Sequence, residues 1–347
     1  MSETFKALVV ERTDTGTDTG TDRGTDTGAD AFKLGVKPVA LADLPEGEVL
    51  IKTAYSSVNY KDGLASLPNG NIVKSYPFIP GIDLSGTVVS SSDERFKAGQ
   101  PVLVTGYELG VSHFGGFSEY ARVPADWVVP LPEGLSLKEA MIYGTAGFTA
   151  ALSVQRLEEN GLKPELGKVL VTGATGGVGA AAVAILKAKG CEVAASTGKT
   201  AEADYLKALG ASEVIPRLTE EGDKPKPLNK QLWQAAVDPV GGRTLASILS
   251  RIAYRGSVAV SGLTGGTSVP TTVLPFILRG VNLLGIDSVY CPYDIRVKLW
   301  NRMAGDLKPA DMELLISSEV TLEQLPQALD DILNSRTRGR ILVKIGE

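Results

Sequence analysis

Residues 169–183 read VLVTGATGGVGAAAV, and the parsing of this stretch decides the fold. Val169–Thr172 is apolar and short, as a buried strand is, whereas the small residues from Ala180 onward suit a helix packed close to its neighbours. Between them lie Gly173, Gly176, Gly177 and Gly179. Glycines here permit left-handed backbone, let a diphosphate approach bare amides, and let helix and strand touch. The helix start then offers unpaired N–H groups and the positive end of its dipole. Ala174 stands where the first glycine of Gly-x-Gly-x-x-Gly would be, so the turn is a variant. Its setting makes it specific: a strand before it, a helix after it, and a second strand in CEVAAST at 191–197.

Downstream, SEVIPR, QAAVDPVGG, GSVAVSGL and NLLGIDS read as further short apolar strands. Helices space them, which predicts an α/β, doubly wound parallel sheet. Upstream, KALVVE, GEVLIKTAYSSV, GTVVSS, QPVLVTG and FSEYARVP are strands punctuated by Gly, Pro, Asn and Asp. A helical stretch, SLKEAMIYGTAGFTAALSVQRLEENG, joins the two regions. Past residue 292 the chain turns helical and closes on GRILVKIGE, a strand expected to return to the N-terminal β region. The expected division is 1–143, 144–288 and 289–347, with the parallel sheet inserted in the tail of the β domain. Residues 13–28 repeat Thr-Asp-(Thr/Arg)-Gly without an apolar face and are expected to form a solvated excursion between two strands. Calcium-binding β-helix repeats need an apolar residue in each turn, and this tract has none.

Composition narrows the function. With 347 residues, 43% hydrophobic and 22% charged, the chain suits two domains of an ordinary globular enzyme. Thirty-five basic against forty acidic residues give a net charge of −5, which favours no polyanion, so a nucleic-acid partner is not expected. No apolar run reaches the roughly 18–20 residues that span a bilayer, and no membrane partner is expected. The start lacks the order of a secretory signal, and the two cysteines, Cys191 and Cys291, form no spacing motif, so a reduced cytoplasm is expected. With those cysteines and a single histidine, His113, no zinc set can be assembled, and no metal is expected.

The second strand of the parallel sheet selects the cofactor. An enzyme using NAD usually ends it with a carboxylate that accepts from the ribose 2′-OH. Here Ser196-Thr197-Gly198-Lys199 ends it. Two hydroxyls, an amide and an ammonium favour a 2′-phosphate, hence NADP(H), and Arg217 could add a second cation. Lys199 and Arg217 could instead be solvated surface charges. Leu263 and Ser288 follow later strand ends and are nominated beside the nicotinamide, with Ile277 covering the ring. Leu263 and Ile277 could also be plain core.

Several stretches carry a resemblance: SSVNYKDGLA (56–65), IPGIDLSGTV (79–88), GGFSEYARVPADW (115–127), MIYGTAGFTAAL (141–152), VTGATGGVG (171–179) and TTVLPFILRGVNLLGIDSV (271–289). They resemble the zinc-free, quinone-oxidoreductase-like branch of the medium-chain dehydrogenase/reductases, and within it most closely the acrylyl-CoA reductases. In zinc-dependent alcohol dehydrogenases, Cys-x-x-Asp and Gly-His-Glu hold a catalytic metal at two of these places. Here Asn59 takes the Cys position and Ile82-Asp83 the His-Glu position. The resemblance implies a GroES-like β-barrel domain carrying the Rossmann domain, and NADPH-dependent reduction of acryloyl-CoA, a small-molecule acyl-CoA, to propanoyl-CoA. Cofactor contacts carried over are Tyr60, Thr175, Gly176, Gly177, Val178, Thr197, Gly198, Lys199, Arg217, Leu263, Ile277, Ser288 and Asn334. Lys199 stands where relatives often have Arg, which keeps the charge but loses the planar fork.

For catalysis, Asn59 and Tyr60 are the expected donors to the thioester oxygen. Tyr60 either supplies a proton or only packs on the cofactor. Asp83 reads as a helper to a loop amide, and Lys61, Arg302 and Arg338 are candidates for the coenzyme A phosphates. The resemblance also implies a homodimer that pairs the NLLGIDS strands. Two rival readings stay open: a quinone or enone reductase, and a non-catalytic NADPH-binding sensor or structural protein.

Overall fold

The computed structural model describes residues 4–12, 32–218 and 226–346. The Thr-Asp-Gly repeat lies outside the described residues. Six strands form one wholly parallel sheet: Val169–Val171, Val193–Ser196, Glu213–Ile215, Trp233–Asp238, Ile252–Val260 and Asn282–Gly285. Numbered along the chain they lie side by side as 3-2-1-4-5-6, the doubly wound order in which the chain reverses direction across the sheet beside strand 1. Parallel strands covered on both faces must be apolar throughout. Val169, Leu170, Val171, Val193, Ala194 and Ala195 are accordingly all buried.

A second sheet orders the strands Ile316–Val320, Arg340–Lys344, Val49–Ser57, Asp83–Ser91, Pro101–Thr105 and Val129–Pro130, with Tyr120–Val123 also paired to Val49–Ser57. The C-terminal strand does return to it: Leu342 pairs with Ser57 in an antiparallel register. Three strands were not foreseen, among them the two-residue strand Val129–Pro130. Phe32–Ala40 pairs antiparallel with Thr4–Arg12, but Gly35, Lys37 and Pro38 mask its alternation. Ile316–Val320 alternates only weakly, being exposed over its middle. Among the described residues no helix is long and apolar enough to cross a membrane.

The segment Leu137–Glu159 is helical but broken at Gly144 (φ 51°, ψ −157°). Sequence reading gave no warning of the break. Its first half opens on a capping box in which Ser136 Oγ accepts from Glu139 N–H at 3.1 Å and Glu139 accepts from Ser136 N–H at 2.8 Å. Its second half packs the small-residue helix Gly177–Ala188 with the sheet in one continuous core. Trp300, fully buried, lies 5.9 Å from the Phe148 ring and 6.2 Å from that of Tyr143.

The break leaves room for charge. A Cβ at Gly144 would stand 2.5 Å from Asp83 Oδ2, 2.5 Å from Ser57 Oγ and 2.7 Å from Arg340 Nη2. Gly144→Ala should therefore cost at least about 3 kcal/mol by denaturant titration, since it adds a buried clash to left-handed strain. Gly99→Ala, at φ 84° with nothing within 4 Å, should cost about 1 kcal/mol from strain alone. Equal losses at the two positions would remove the packing argument.

Candidate functional site

The strand Val49–Ser57 ends at a short helix, Tyr60–Ala65. The Asp62 carboxylate accepts from Asn59 N–H at 2.8 Å, one half of a capping box, and from Ile82 N–H at 2.9 Å. It thereby binds the Asn59 loop to the turn before the strand Asp83–Ser91. The neighbouring Asp83, also fully buried, accepts from Ser57 Oγ and Asn59 Nδ2, each at 2.7 Å, and from the Thr145 N–H at 3.0 Å and its hydroxyl at 2.5 Å. Gly144 delivers that Thr145 amide. The Arg340 guanidinium lies 3.7 Å from Asp83 and donates to Ser57 Oγ (2.7 Å), Asn59 Oδ1 (3.2 Å), and the Ile142 and Val58 carbonyls (3.2 and 3.3 Å).

One cation thus serves two buried carboxylates. Burial, and next the charge of Asp83, push the Asp62 carboxyl up to about 7, against the lowering effect of its N–H donors.

This geometry corrects the reading of Asn59. Its amide hydrogens go to Asp83 and to the Ser57 carbonyl (3.3 Å), and its oxygen accepts from Arg340. The side chain is spent inward, so it positions the loop and donates nothing to the cleft. Tyr60, next along the chain, is 49% exposed. Asp83 accepts from the side-chain amide of Asn59 on the loop, whereas the main-chain amide it holds is that of Thr145 in the broken helix.

At the other end of the cleft the glycine turn has the expected form. Gly173 has φ 52°, and a Cβ on Gly179 would stand 2.3 Å from the Gly173 carbonyl oxygen, so helix and turn touch there. The helix Gly177–Ala188 begins at that turn and presents its first amides. A Cβ on Gly177 would stand 3.0 Å from Arg340 Nη1, so the turn abuts the buried charge cluster. Asp238, at the end of a neighbouring strand, holds Thr172 Oγ1 and the N–H groups of Val240 and Gly241. Burial raises its carboxyl above the ordinary range. The turn and its supports form a cradle of the shape a dinucleotide diphosphate requires.

The other nominated residues divide. Thr175 and Thr197 are buried with hydroxyls 3.2 Å apart, and Thr197 Oγ1 accepts from Lys199 N–H at 3.0 Å. Arg217 lies against Gly198, its Nε 2.3 Å from where a Cβ would be. Gly176 is exposed and Val178 partly so. Ser288 Oγ is 2.8 Å from Thr149 Oγ1, a partner the sequence did not suggest. Leu263 and Ile277 are 65% and 68% exposed, which rules out the reading of them as core. Asn334 turns its amide back to Asp330, 2.9 Å from both that residue's carbonyl and carboxylate. Of the proposed coenzyme A cations, Arg302 is locked between Glu158 (2.8 Å) and Asp306 (2.6 Å), and Arg338 pairs with Glu202.

The cluster around Asp83 does not suit zinc. Its donors are two carboxylates, an amide and hydroxyls, without imidazole or thiolate, and a guanidinium already supplies the positive charge. Among the described residues there is no group of three or more His, Cys, Asp or Glu that could hold a metal ion.

Comparison with known proteins agrees with this architecture. Residues 45–133 match the alcohol dehydrogenase GroES-like domain and residues 177–304 match the zinc-binding dehydrogenase family. A Bacillus subtilis protein named "Putative quinone oxidoreductase YhfP" is 63% identical over 91% of this chain and 96% of its own length. Its crystal structure with NAD bound superposes with a TM-score of 0.92, at 60% identity, over 99% of this chain and 100% of that one. Acrylyl-CoA reductase AcuI of Ruegeria pomeroyi is 51% identical over 89% of this chain and 94% of its own. The yhdH oxidoreductase of Salmonella enterica, solved in complex with NADP, gives a TM-score of 0.90 at 45% identity over 98% and 99% of the two chains.

The raised Asp62 carboxyl has a thermodynamic consequence. The folded protein holds its proton up to about pH 7, whereas the unfolded chain releases it near 4. Between those values the native state binds more protons, so stability falls as pH rises from about 4 to about 7. Asp62→Asn should flatten this slope: melting temperatures of the wild type should drop relative to the variant between pH 5 and 8. Parallel curves would show that Asp62 ionises normally.

Proposed function

Because the chain belongs to the zinc-free, quinone-oxidoreductase-like branch of the medium-chain dehydrogenase/reductases, we propose that it is an NADPH-dependent reductase of the carbon–carbon double bond of acryloyl-CoA. The product is propanoyl-CoA. The observation that carries this reading is the charge cluster itself: a guanidinium stands beside Asp83, and the phenol on that loop, Tyr60, is half exposed. Oxidation of an alcohol or reduction of a ketone in this fold draws on a Lewis acid at that place, whereas reduction of a conjugated bond needs none.

Reduced nicotinamide would supply hydride to the β-carbon. Negative charge would then pass to the thioester oxygen, where the Tyr60 hydroxyl is the donor proposed to meet it, and a proton delivered to the α-carbon by Tyr60 or by solvent would complete the saturated thioester. The Asp62 cap and the Asn59 amide hold the Tyr60 loop at a fixed height, so orientation is set before substrate arrives. The glycine turn, Thr197 and Lys199 take the diphosphate and 2′-phosphate, and Arg217 lies against the same strand end. Support for NADP(H) is the lysine at that strand end and the NADP complex of the Salmonella relative. The buried, unpaired Cys191 and Cys291 accord with work in a reducing cytoplasm.

A second reading, reduction of quinones, is favoured by the name of the Bacillus relative. The two readings separate in one assay. NADPH oxidation should be fast with acryloyl-CoA and slow with 1,4-benzoquinone. The reverse order would assign a quinone reductase, and no turnover with either acceptor would leave a binding protein.

Among the described residues, the edge strand Asn282–Gly285 of the parallel sheet has no neighbour on its outer side. Leu283 on it, and Leu278 on the adjoining helix, are exposed. An edge of this kind invites a second copy. Sedimentation at micromolar concentration should report a dimer, and a charged replacement, Leu283→Lys, should release monomers. A monomeric wild type would refute the pairing.

A further inference from the structure

Lys199 does not stand alone at the end of its strand. Its Nζ donates to the Thr337 carbonyl at 2.5 Å, and its own carbonyl accepts from Glu202 N–H at 3.0 Å. Glu202 Oε2 in turn accepts from Arg338 Nη1 at 2.6 Å, while the Arg338 guanidinium lies 4.6 Å from the centre of the Tyr205 ring. The C-terminal loop that carries Thr337 and Arg338 is fixed to the dinucleotide turn, where Gly339 N–H donates to the Thr175 carbonyl at 2.9 Å. Lys199, Glu202, Ser335, Arg336, Thr337 and Arg338 line a cavity of about 450 Å3. Arg336 is engaged by Asp330 and by Asp331, which also lines the cavity. Among the described residues Arg338 has a single carboxylate partner, Glu202, which sits three residues past Lys199.

We infer that Glu202 and Arg338 form an ionic selector that sets how strongly the protein prefers a dinucleotide with a 2′-phosphate over one without. The inference rests on the reading of Lys199 as a ligand of that phosphate. A phosphate monoester carries about −1.5 to −2 charges at neutral pH and presents oxygens that match the guanidinium fork. It competes with Glu202 for Arg338. With NADH the Glu202–Arg338 pair stays closed. With NADPH the guanidinium turns to the phosphate, and the Glu202 carboxylate is left beside a dianion. Arg338 therefore raises the preference for NADPH and Glu202 holds it down, so removing one charge or the other shifts the preference in opposite directions. A pair that merely fastened the loop would affect both dinucleotides alike.

The test is fluorescence titration of wild type, Glu202→Gln, Arg338→Gln and Lys199→Ala with NADPH and with NADH at one ionic strength. Glu202→Gln should raise the ratio of NADPH to NADH affinity by about threefold or more, the scale of one exposed charge interaction, and high salt should shrink the gain. Arg338→Gln should lower the ratio, and Lys199→Ala should lower it furthest. Equal changes for both dinucleotides in Glu202→Gln, or a fall in the ratio, would overturn the selector even where Lys199→Ala behaves as expected. A ratio untouched by Lys199→Ala would instead overturn the underlying assignment of the 2′-phosphate.

Discussion

The pairing of Asp83 with Arg340 inside the protein is the constraint on which the rest depends. Neither charge would tolerate burial alone, because an isolated ion in a low-dielectric interior costs many kcal/mol. Each is therefore surrounded. Asp83 accepts from Ser57, Asn59 and Thr145, and Arg340 donates to Ser57, Asn59 and two main-chain carbonyls. These partners come from the C-terminal strand, the loop before Tyr60 and the broken helix at Gly144. Satisfying the two ions means bringing those segments to one point, and the glycine turn touches the same guanidinium through Gly177. The distance from the Tyr60 loop to the dinucleotide cradle is thus set by electrostatics as much as by the apolar core.

The same cluster limits the chemistry. Arg340 is buried and fully engaged, so it polarises the surroundings but does not reach a substrate. Asn59 is committed in the same way. On the proposed reading, what the loop offers a substrate is the Tyr60 phenol and the backbone beside it, donors of the kind that stabilise charge as it develops. Such a site suits an acceptor whose electrons can delocalise onto its own oxygen, because a thioester or a quinone carries most of the activation itself.

What was legible in the sequence was local. The glycine turn declared itself because strand, turn and helix are contiguous, and the succession of short apolar strands spaced by helices pointed to the doubly wound sheet. The return of the last strand was legible too, since GRILVKIGE had no place in that sheet. Less local features were hidden. Arg340 meets Ser57 and Asn59 across more than 280 positions of chain, and no pattern in a window of the sequence could predict it. Gly144 lies within a run that otherwise reads as continuous helix, and its left-handed backbone makes sense only once Asp83 and Arg340 are seen beside it. Asn59 is a different case: the Asn-x-x-Asp spacing of residues 59–62 is itself a capping signal, and the Asn59 side chain is spent on Asp83 and Arg340.

The C-terminal triplet Arg338-Gly339-Arg340 shows how three consecutive residues can serve both ends of one groove. Gly339 has φ 52°, and a Cβ there would stand 2.3 Å from the Leu315 carbonyl oxygen, so no other residue fits without rearrangement. Its conformation turns the chain so that the flanking arginines diverge. Arg338 goes outward to Glu202 beside the second strand, Arg340 goes inward to Asp83 beneath the Tyr60 loop, and the Gly339 amide itself holds Thr175 in the glycine turn. Arginine identity alone would assign both side chains the same role, because both are cations near an anionic ligand. The backbone separates them: one, half exposed and singly paired, can exchange its carboxylate for a phosphate, whereas the other is held by at least five partners and cannot. Cofactor preference can therefore change at one end of the groove without disturbing the scaffold that orients the reacting groups at the other.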